Sequence, residues 1–282
     1  MKPPFIHFSL KEIFFLLALL NVLPAFSQKN KFKNDSIAVR DSIREFMFQG
    51  ALLSMDALQA KYESQKSADS AVKHQKAGES QNLFFQSRKY YRKALTFNSN
   101  YFPAWNNIGT TYYLQELPKA AIPCYRHALL INDDYSPAWY NLGKAYDVIG
   151  MEDSADYSFK QCIRSDSSYI QAYQDLSRII MENGKDSSSA LNYLRLAAKY
   201  KPTSDVPWVS MSVIYFSFKD SANAILALEN AARIYPSDVD RLQMLSNYFA
   251  NHNDQKKADF YLKLFAMEKK KQEIPKDSDP DK

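Results

Sequence analysis

His74, His127 and His252 are the histidines that follow the first 27 residues, and they are the natural place to look for a metal ligand or general base. None has a cysteine, second histidine or carboxylate at a spacing that builds a recognisable metal site. The chain has no G-x-S-x-G nucleophile turn and no H-E-x-x-H zinc motif. With 6 glycines in 282 residues, a phosphate-cradling loop would have to be built almost without them. No catalytic residue, metal or cofactor is therefore expected. The chemistry that remains is that of binding, through amides, aromatic rings and scattered cations, and it depends on the elements that hold those groups.

Those elements are written repeatedly. Trp105, Ile108, Gly109, Tyr112, Ala121 and Tyr125 recur 34 residues later as Trp139, Leu142, Gly143, Tyr146, Ala155 and Phe159. The register continues: Trp105 leads to Trp139, Tyr173, Trp208 and Leu242. The small residue of each copy runs Ala121, Ala155, Ala190, Ala224 and Ala258. The next core position runs Tyr125, Phe159, Leu194, Leu228 and Leu262, and Tyr215 repeats Tyr112 and Tyr146. One residue is inserted in the third copy, near Ser187 to Ser189. This gives five copies at 102–135, 136–169, 170–204, 205–238 and 239–272, with Pro202 and Pro236 closing two of them.

The pattern W-x-x-L-G-x-x-Y followed by A-x-x-x-F resembles the tetratricopeptide repeat family. The resemblance implies an all-α, right-handed superhelical solenoid of antiparallel helix pairs, with an extra helix before it. It also implies a protein that holds other molecules rather than transforming them. Gly109 and Gly143 look like points of close helix approach, since glycine costs a helix about 1 kcal/mol relative to alanine. The alanines serve the same approach from the second helix, where larger residues would overpack. Pro103 and Pro137 fit the first turn of a helix. Asp186, Asp220 and Asp254, each four residues before the small alanine, fit N-caps. Pro123 falls inside a second helix and should kink it. Cys124 and Cys162 would lie on second helices at non-equivalent heights. A bridge needs Cα atoms within about 7 Å, so two buried free thiols are expected, although an exported chain could pair them.

A degenerate copy is expected at 68–101. Ser87 to Asn98 resembles a second helix of the family, but Ala71, His74, Gln75 and Gly78 stand at the signature positions of its first helix. Before it, residues 28–67 form a separate helical segment. Val39, Ile43, Phe46, Met47, Leu53 and Leu58 have helical spacing from about Asp35 to Tyr62, and this helix should cover the open end of the first repeat. Residues 63–82 read as a hydrophilic helix or linker, and 273–282 as a disordered tail.

In this family the first helices line a groove. The resemblance places Asn106, Asn107, Thr110 and Tyr113 there from the first copy, and Tyr140, Asn141, Lys144 and Asp147 from the second. Gln174, Asp175, Arg178 and Met181 follow from the third, and Val209, Val213 and Phe216 from the fourth. Asn107 and Asn141 resemble an asparagine ladder that grips an extended peptide backbone, since an amide donates and accepts at once. They could equally brace their own helices. The ladder stops at Asp175, Ser210 and Met244. A basic clamp for a carboxylate finds only Lys144 and Arg178.

Residues 1–27 read as a signal peptide. Lys2 and Lys11 precede the apolar run Ile13 to Leu23, and Ala25-Phe-Ser27 is a small-residue cleavage site. The run is short of the roughly 20 apolar residues of a membrane span, so membrane attachment is expected only if the segment is retained. Cleavage removes Lys2, Lys11 and Glu12 and takes the formal charge from +5 to +4. The basic clusters at Lys29, Lys31 and Lys33 and at Lys269 to Lys271 read as solvated termini, with no stripe suited to nucleic acid. Expected, then, is an exported scaffold of the periplasm or cell envelope that holds a protein partner. Its rivals are an accessory subunit that presents substrate in an envelope enzyme or an assembly or secretion complex, and a membrane-anchored structural protein. Phe260, Tyr261, Leu262, Leu264 and Phe265 exceed what one buried stripe needs, which suggests self-association at the C-terminal edge.

Overall fold

The computed structural model describes residues 37–184 and 186–273, and these contain twelve α-helices and no strand. The expected signal peptide, the N-cap at Asn34 or Asp35 and the tail beyond Glu273 lie outside the described residues. Glu273 and Gln272 belong to the last helix rather than to a tail, and Gln272 donates to the Ser237 carbonyl at 3.2 Å. The architecture is an all-α helical-repeat fold of solenoid type. It falls into two compact units divided between Ser165 and Asp166.

In the first unit, α1 (Ile37–Lys66) and α2 (Ser70–Phe97) form a long antiparallel pair. Asp69 caps α2, accepting from the Ala71 amide at 2.7 Å. The seam on α1 is made of small and aliphatic residues at helical spacing: Ile43, Met47, Gly50, Ser54, Ala57 and Leu58 are buried. It meets Ser80, Phe84, Ser87, Tyr91 and Ala94 of α2. At the far end, where residues 70–75 are exposed, Lys76 pairs with Glu63 and Glu79 at 3.0 Å each. Two shorter pairs follow: α3 (Phe102–Leu114) with α4 (Pro118–Ile131), then α5 (Ser136–Val148) with α6 (Glu152–Ser165). The chain runs through Pro123 within α4 without interruption.

The degenerate repeat differs from its expectation. Residues 68–81 do not form a first helix; Ser70–Phe97 is one helix, and the first helix opposite its second half is α1. A single contact makes this plain. A Cβ placed on Gly50 would lie 2.5 Å from the Tyr91 ring, on Gly109 2.7 Å from the Tyr125 ring, and on Gly143 2.7 Å from the Phe159 ring. Each pair closes where a helix without a side chain lets an aromatic ring lie on its backbone. Phe46 precedes Gly50 by the same four residues as Trp105 precedes Gly109. The upstream pair is thus built on the same contact, with extra helix inserted at its far end.

The second unit has three pairs: α7 (Ile170–Gly184) with α8 (Ser187–Tyr200), α9 (Val206–Ser217) with α10 (Ser221–Ile234), and α11 (Val239–Asn251) with α12 (Gln255–Glu273). Asp186, Asp220 and Asp254 cap second helices, each accepting a backbone amide at 3.1 Å. Pro103, Pro137 and Pro207 occupy first turns, where a missing N–H leaves no bond unmade. Arg241, mostly buried, joins Asp205 at 2.8 Å and Asp238 at 2.9 Å.

The expected repeat core divides into two classes. Gly109, Ala121, Tyr125, Gly143, Ala155, Phe159, Ala190, Leu194, Ala224 and Ala258 are buried. Trp105, Tyr112, Trp139, Tyr146, Trp208 and Tyr215 are half-buried and pack on the edges of the clusters. Trp105 and Trp139 reach the surface with the indole N–H turned back to a carbonyl six residues earlier: Trp105 to Ser99 at 3.1 Å, Trp139 to Asp133 at 2.6 Å. In α12 the inward residue is Tyr261, and Leu262 is exposed, because the helix turns by one position relative to the other copies. Phe260 and Met267 are exposed as well, while Leu264 and Phe265 are half-buried against the same cluster. Cys162 is buried, Cys124 half-buried, and both are free thiols; burial pushes the Cys124 thiol up.

Candidate interaction surfaces

The amides expected to grip a peptide are instead tied to one another. Asn106, Asn107, Thr110, Tyr140 and Asn141 are all buried. Asn141 Nδ2 donates to Asn106 Oδ1 at 3.0 Å and reaches Thr110 Oγ1 at 3.4 Å. Asn106 Nδ2 donates to Asn107 Oδ1 at 3.1 Å, and the Tyr125 hydroxyl reaches Thr110 at 3.5 Å. The chain of amides thus joins α5 to α3, the bracing alternative rather than an open ladder. Its end is incomplete, since Asn107 Nδ2 is buried without an acceptor. Beside it, burial pushes the Tyr91 phenol up to about 12, while Ser54, Ser87 and Asn107 pull the other way. Burial raises Tyr125 further still.

The remaining expected groove residues are more accessible. Tyr113, Lys144 and Asp147 are half-buried in the first unit. In the second, Gln174 donates to Ser210 at 3.0 Å and Arg178 pairs with Glu182 at 2.7 Å. Val209 is half-buried, and Val213 and Phe216 are exposed. Asp175 lies 3.8 Å from Arg178, and Met181 packs on a core cluster.

A different surface is more open. A groove of about 600 Å³ runs between α4 and α6 over α5. Its walls are Leu129, Leu130, Trp139, Leu142, Tyr146 and Tyr157, with Arg126, Asp133 and Asp153 at the polar edge. Trp139 and Tyr157 meet edge to face, ring centres 5.9 Å apart. The corresponding place one repeat earlier, between α2 and α4, is filled from within. There the Arg88 guanidinium lies 4.3 Å from the centre of the Tyr112 ring and donates to Gln115 and, at 3.4 Å, to Thr111. Arg88 is only 7% exposed, and its burial depresses its pKa.

Residues 102–135 and 136–169 match the sequence model of the family described as Tetratricopeptide repeat. Residues 102–169 are thus two tetratricopeptide repeats. Similar solved structures include PilF of Pseudomonas aeruginosa, 14% identical with a TM-score of 0.56, over 82% of this chain and 93% of that one. A MamA protein is 18% identical with a TM-score of 0.48, over 66% and 94%. YrrB, described as a TPR protein with an unusual peptide-binding site, is 19% identical with a TM-score of 0.45, over 67% and 96%. These identities speak to the fold alone. No curated protein matches the chain.

Repeats of this kind support a protein-interaction scaffold. Among the described residues no cluster of His, Cys, Asp or Glu could hold a metal ion, and no helix is long and apolar enough to cross a membrane. The α4–α6 groove was not expected from the sequence. Its signal lay in how neighbouring copies differ: Asp133 and Asp153 replace Ser99 and Lys119 at the same repeat positions.

Proposed function

We propose that the protein is an exported, non-catalytic scaffold of the periplasm or cell envelope that holds a protein partner through an extended segment. The observation that carries this reading is the run of five helix pairs from Phe102 to Glu273, whose surfaces are only partly used by internal packing. The export half rests on Lys2 and Lys11, the apolar run to Leu23 and the small residues at Ala25 and Ser27. Exposed Phe260 and Met267, seven residues apart on one side of α12, supply an apolar face for a second copy, since a terminal repeat normally needs a polar outer side. The test is affinity capture from envelope extracts with the chain that begins at Gln28, followed by peptide identification, together with the intact mass of the protein recovered from cells. A mass that begins at Gln28 and a partner competed off by its own peptide support the reading. A mass that retains residues 1–27 in a membrane fraction moves it to an anchored structural protein.

A further inference from the structure

We propose that the α4–α6 groove is a receptor for an arginine side chain carried on a leucine-rich segment of a partner protein. This rests on the scaffold reading and assigns its ligand chemistry. The molecule contains its own template. Tyr112 carries the Arg88 guanidinium on its face; the 3.2 Å bond of Arg195 to Tyr215 in the second unit is made to the hydroxyl rather than the ring face, by the counterpart of Arg126. Tyr146 is the position of Tyr112 in the α4–α6 groove; Arg126 lines the groove with it, and no cation is seated on the Tyr146 ring among the described side chains. The residue that corresponds to Arg88 is Ile122, shorter and uncharged. What the earlier groove supplies from within, this one leaves to be supplied from outside.

The charges agree. Where the filled groove has Ser99 and Lys119, the open one has Asp133 and Asp153 at its edge, and neither carboxylate makes an ion pair among the described residues. Arg126 is the one cation of the lining, and it does not argue against a second. Arg92, its counterpart, lies close enough to Arg88 to oppose its charge, and Arg88 is buried there nonetheless. A planar guanidinium stacks on aromatic faces and is more weakly hydrated than an ammonium. Leu130, 83% exposed at the rim, would take a flanking aliphatic side chain.

The experiment is calorimetric titration of the full chain with acetylated, amidated hexapeptides of alternating leucine and arginine, leucine and lysine, or leucine and glutamate. Saturable binding of the arginine peptide, several-fold weaker binding of the lysine peptide and none of the glutamate peptide are expected. Tyr157→Ala and the pair Asp133→Asn/Asp153→Asn change exposed groups and should each weaken the arginine peptide about tenfold. Tyr146→Ala should do so too, with circular dichroism to check that it folds. Equal binding of the glutamate peptide, or affinity unchanged in both exposed variants, overturns the proposal. So does a rise in affinity on replacing Lys29, Lys31 and Lys33 with Gln, because the chain's own basic segment would then be the occupant. A captured partner that still binds Asp133→Asn/Asp153→Asn retires this groove and leaves the scaffold standing, whereas absence of any partner retires the scaffold itself.

Discussion

The two units close their helix pairs in different ways. In the first, a glycine lies under an aromatic ring: Gly50 with Tyr91, Gly109 with Tyr125, Gly143 with Phe159. In the second, the corresponding positions hold Ser177, Ser212 and Ser246, with Leu194 and Leu228 in place of the rings. The Ser177 hydroxyl donates across to the Ala190 carbonyl at 3.1 Å, and that of Ser246 to the Ala258 carbonyl at 3.0 Å. Both devices bring two helices to close range. One fills the space with ring area; the Ser177–Leu194 pair combines a smaller aliphatic group with a hydrogen bond across the gap, whereas Ser212 bonds within its own helix to the Val209 carbonyl and the last pair turns Tyr261 inward. The first is worth more in buried surface. The second tolerates substitution, because no hard contact depends on a missing Cβ.

The largest test of that contrast is Phe159→Ala. The ring is fully buried, so its loss should cost about 3–5 kcal/mol. Trp139→Ala, in the same repeat, should cost about half as much, because Trp139 is half-buried at the edge of its cluster. Urea unfolding followed by hydrogen exchange would separate them, with protection lost first beside the altered repeat. A Trp139→Ala variant as damaged as Phe159→Ala would mean that the indole, not the ring over glycine, holds the pair.

Next in size is Gly143→Ala. Alanine is the better helix former by about 1 kcal/mol, yet its Cβ would stand 2.7 Å from Phe159 Cε1. Overpacking of that kind costs about 1–3 kcal/mol, so the variant should be less stable than the parent. The second unit supplies its remedy. Gly143→Ser combined with Phe159→Leu recreates the serine–leucine pair and should recover most of the loss from either change alone. A double-mutant cycle measures this coupling. Strict additivity would show that the two positions do not share one space.

This division also explains what could be read in the sequence. Two copies carry both glycine and ring, and those are the two that match the family, residues 102–169. The later copies kept the geometry but exchanged the pair, so that the small alanines, Trp208, Tyr215, the closing prolines and the capping aspartates had to mark them. The first pair kept Gly50 and Tyr91 but moved them 41 residues apart rather than 16, and no fixed period finds that. Residue types said that Asn107 and Asn141 stand at matching places; they could not say which way the amides bond. Burial depends on how closely α3 and α5 lie, and that follows from side chains elsewhere, the rings over Gly109 and Gly143 among them. The α4–α6 groove was hidden for a related reason. Arg88 and Ile122 occupy the same repeat position, and only the geometry shows that one fills a groove the other leaves open.

The smallest expected effect tests whether the amides brace the fold or await a ligand. Asn141 makes the bond between helices, so Asn141→Ala removes it and leaves Asn106 Oδ1 buried without its donor. An orphaned buried group costs about 1–3 kcal/mol. Asn107→Ala removes a bond too, but it also removes Nδ2, which already lacks an acceptor. The two terms oppose, so this change should cost less than about 1 kcal/mol. The ranking, Asn141 above Asn107, is a property of the network in the free protein. A ladder that grips a peptide predicts the reverse emphasis: both changes near neutral for the fold and both harmful to partner binding. Thermal unfolding of each variant, beside its affinity for a captured partner, separates the two. Equal and small effects on stability together with loss of binding would return the site to the first helices and away from the α4–α6 groove.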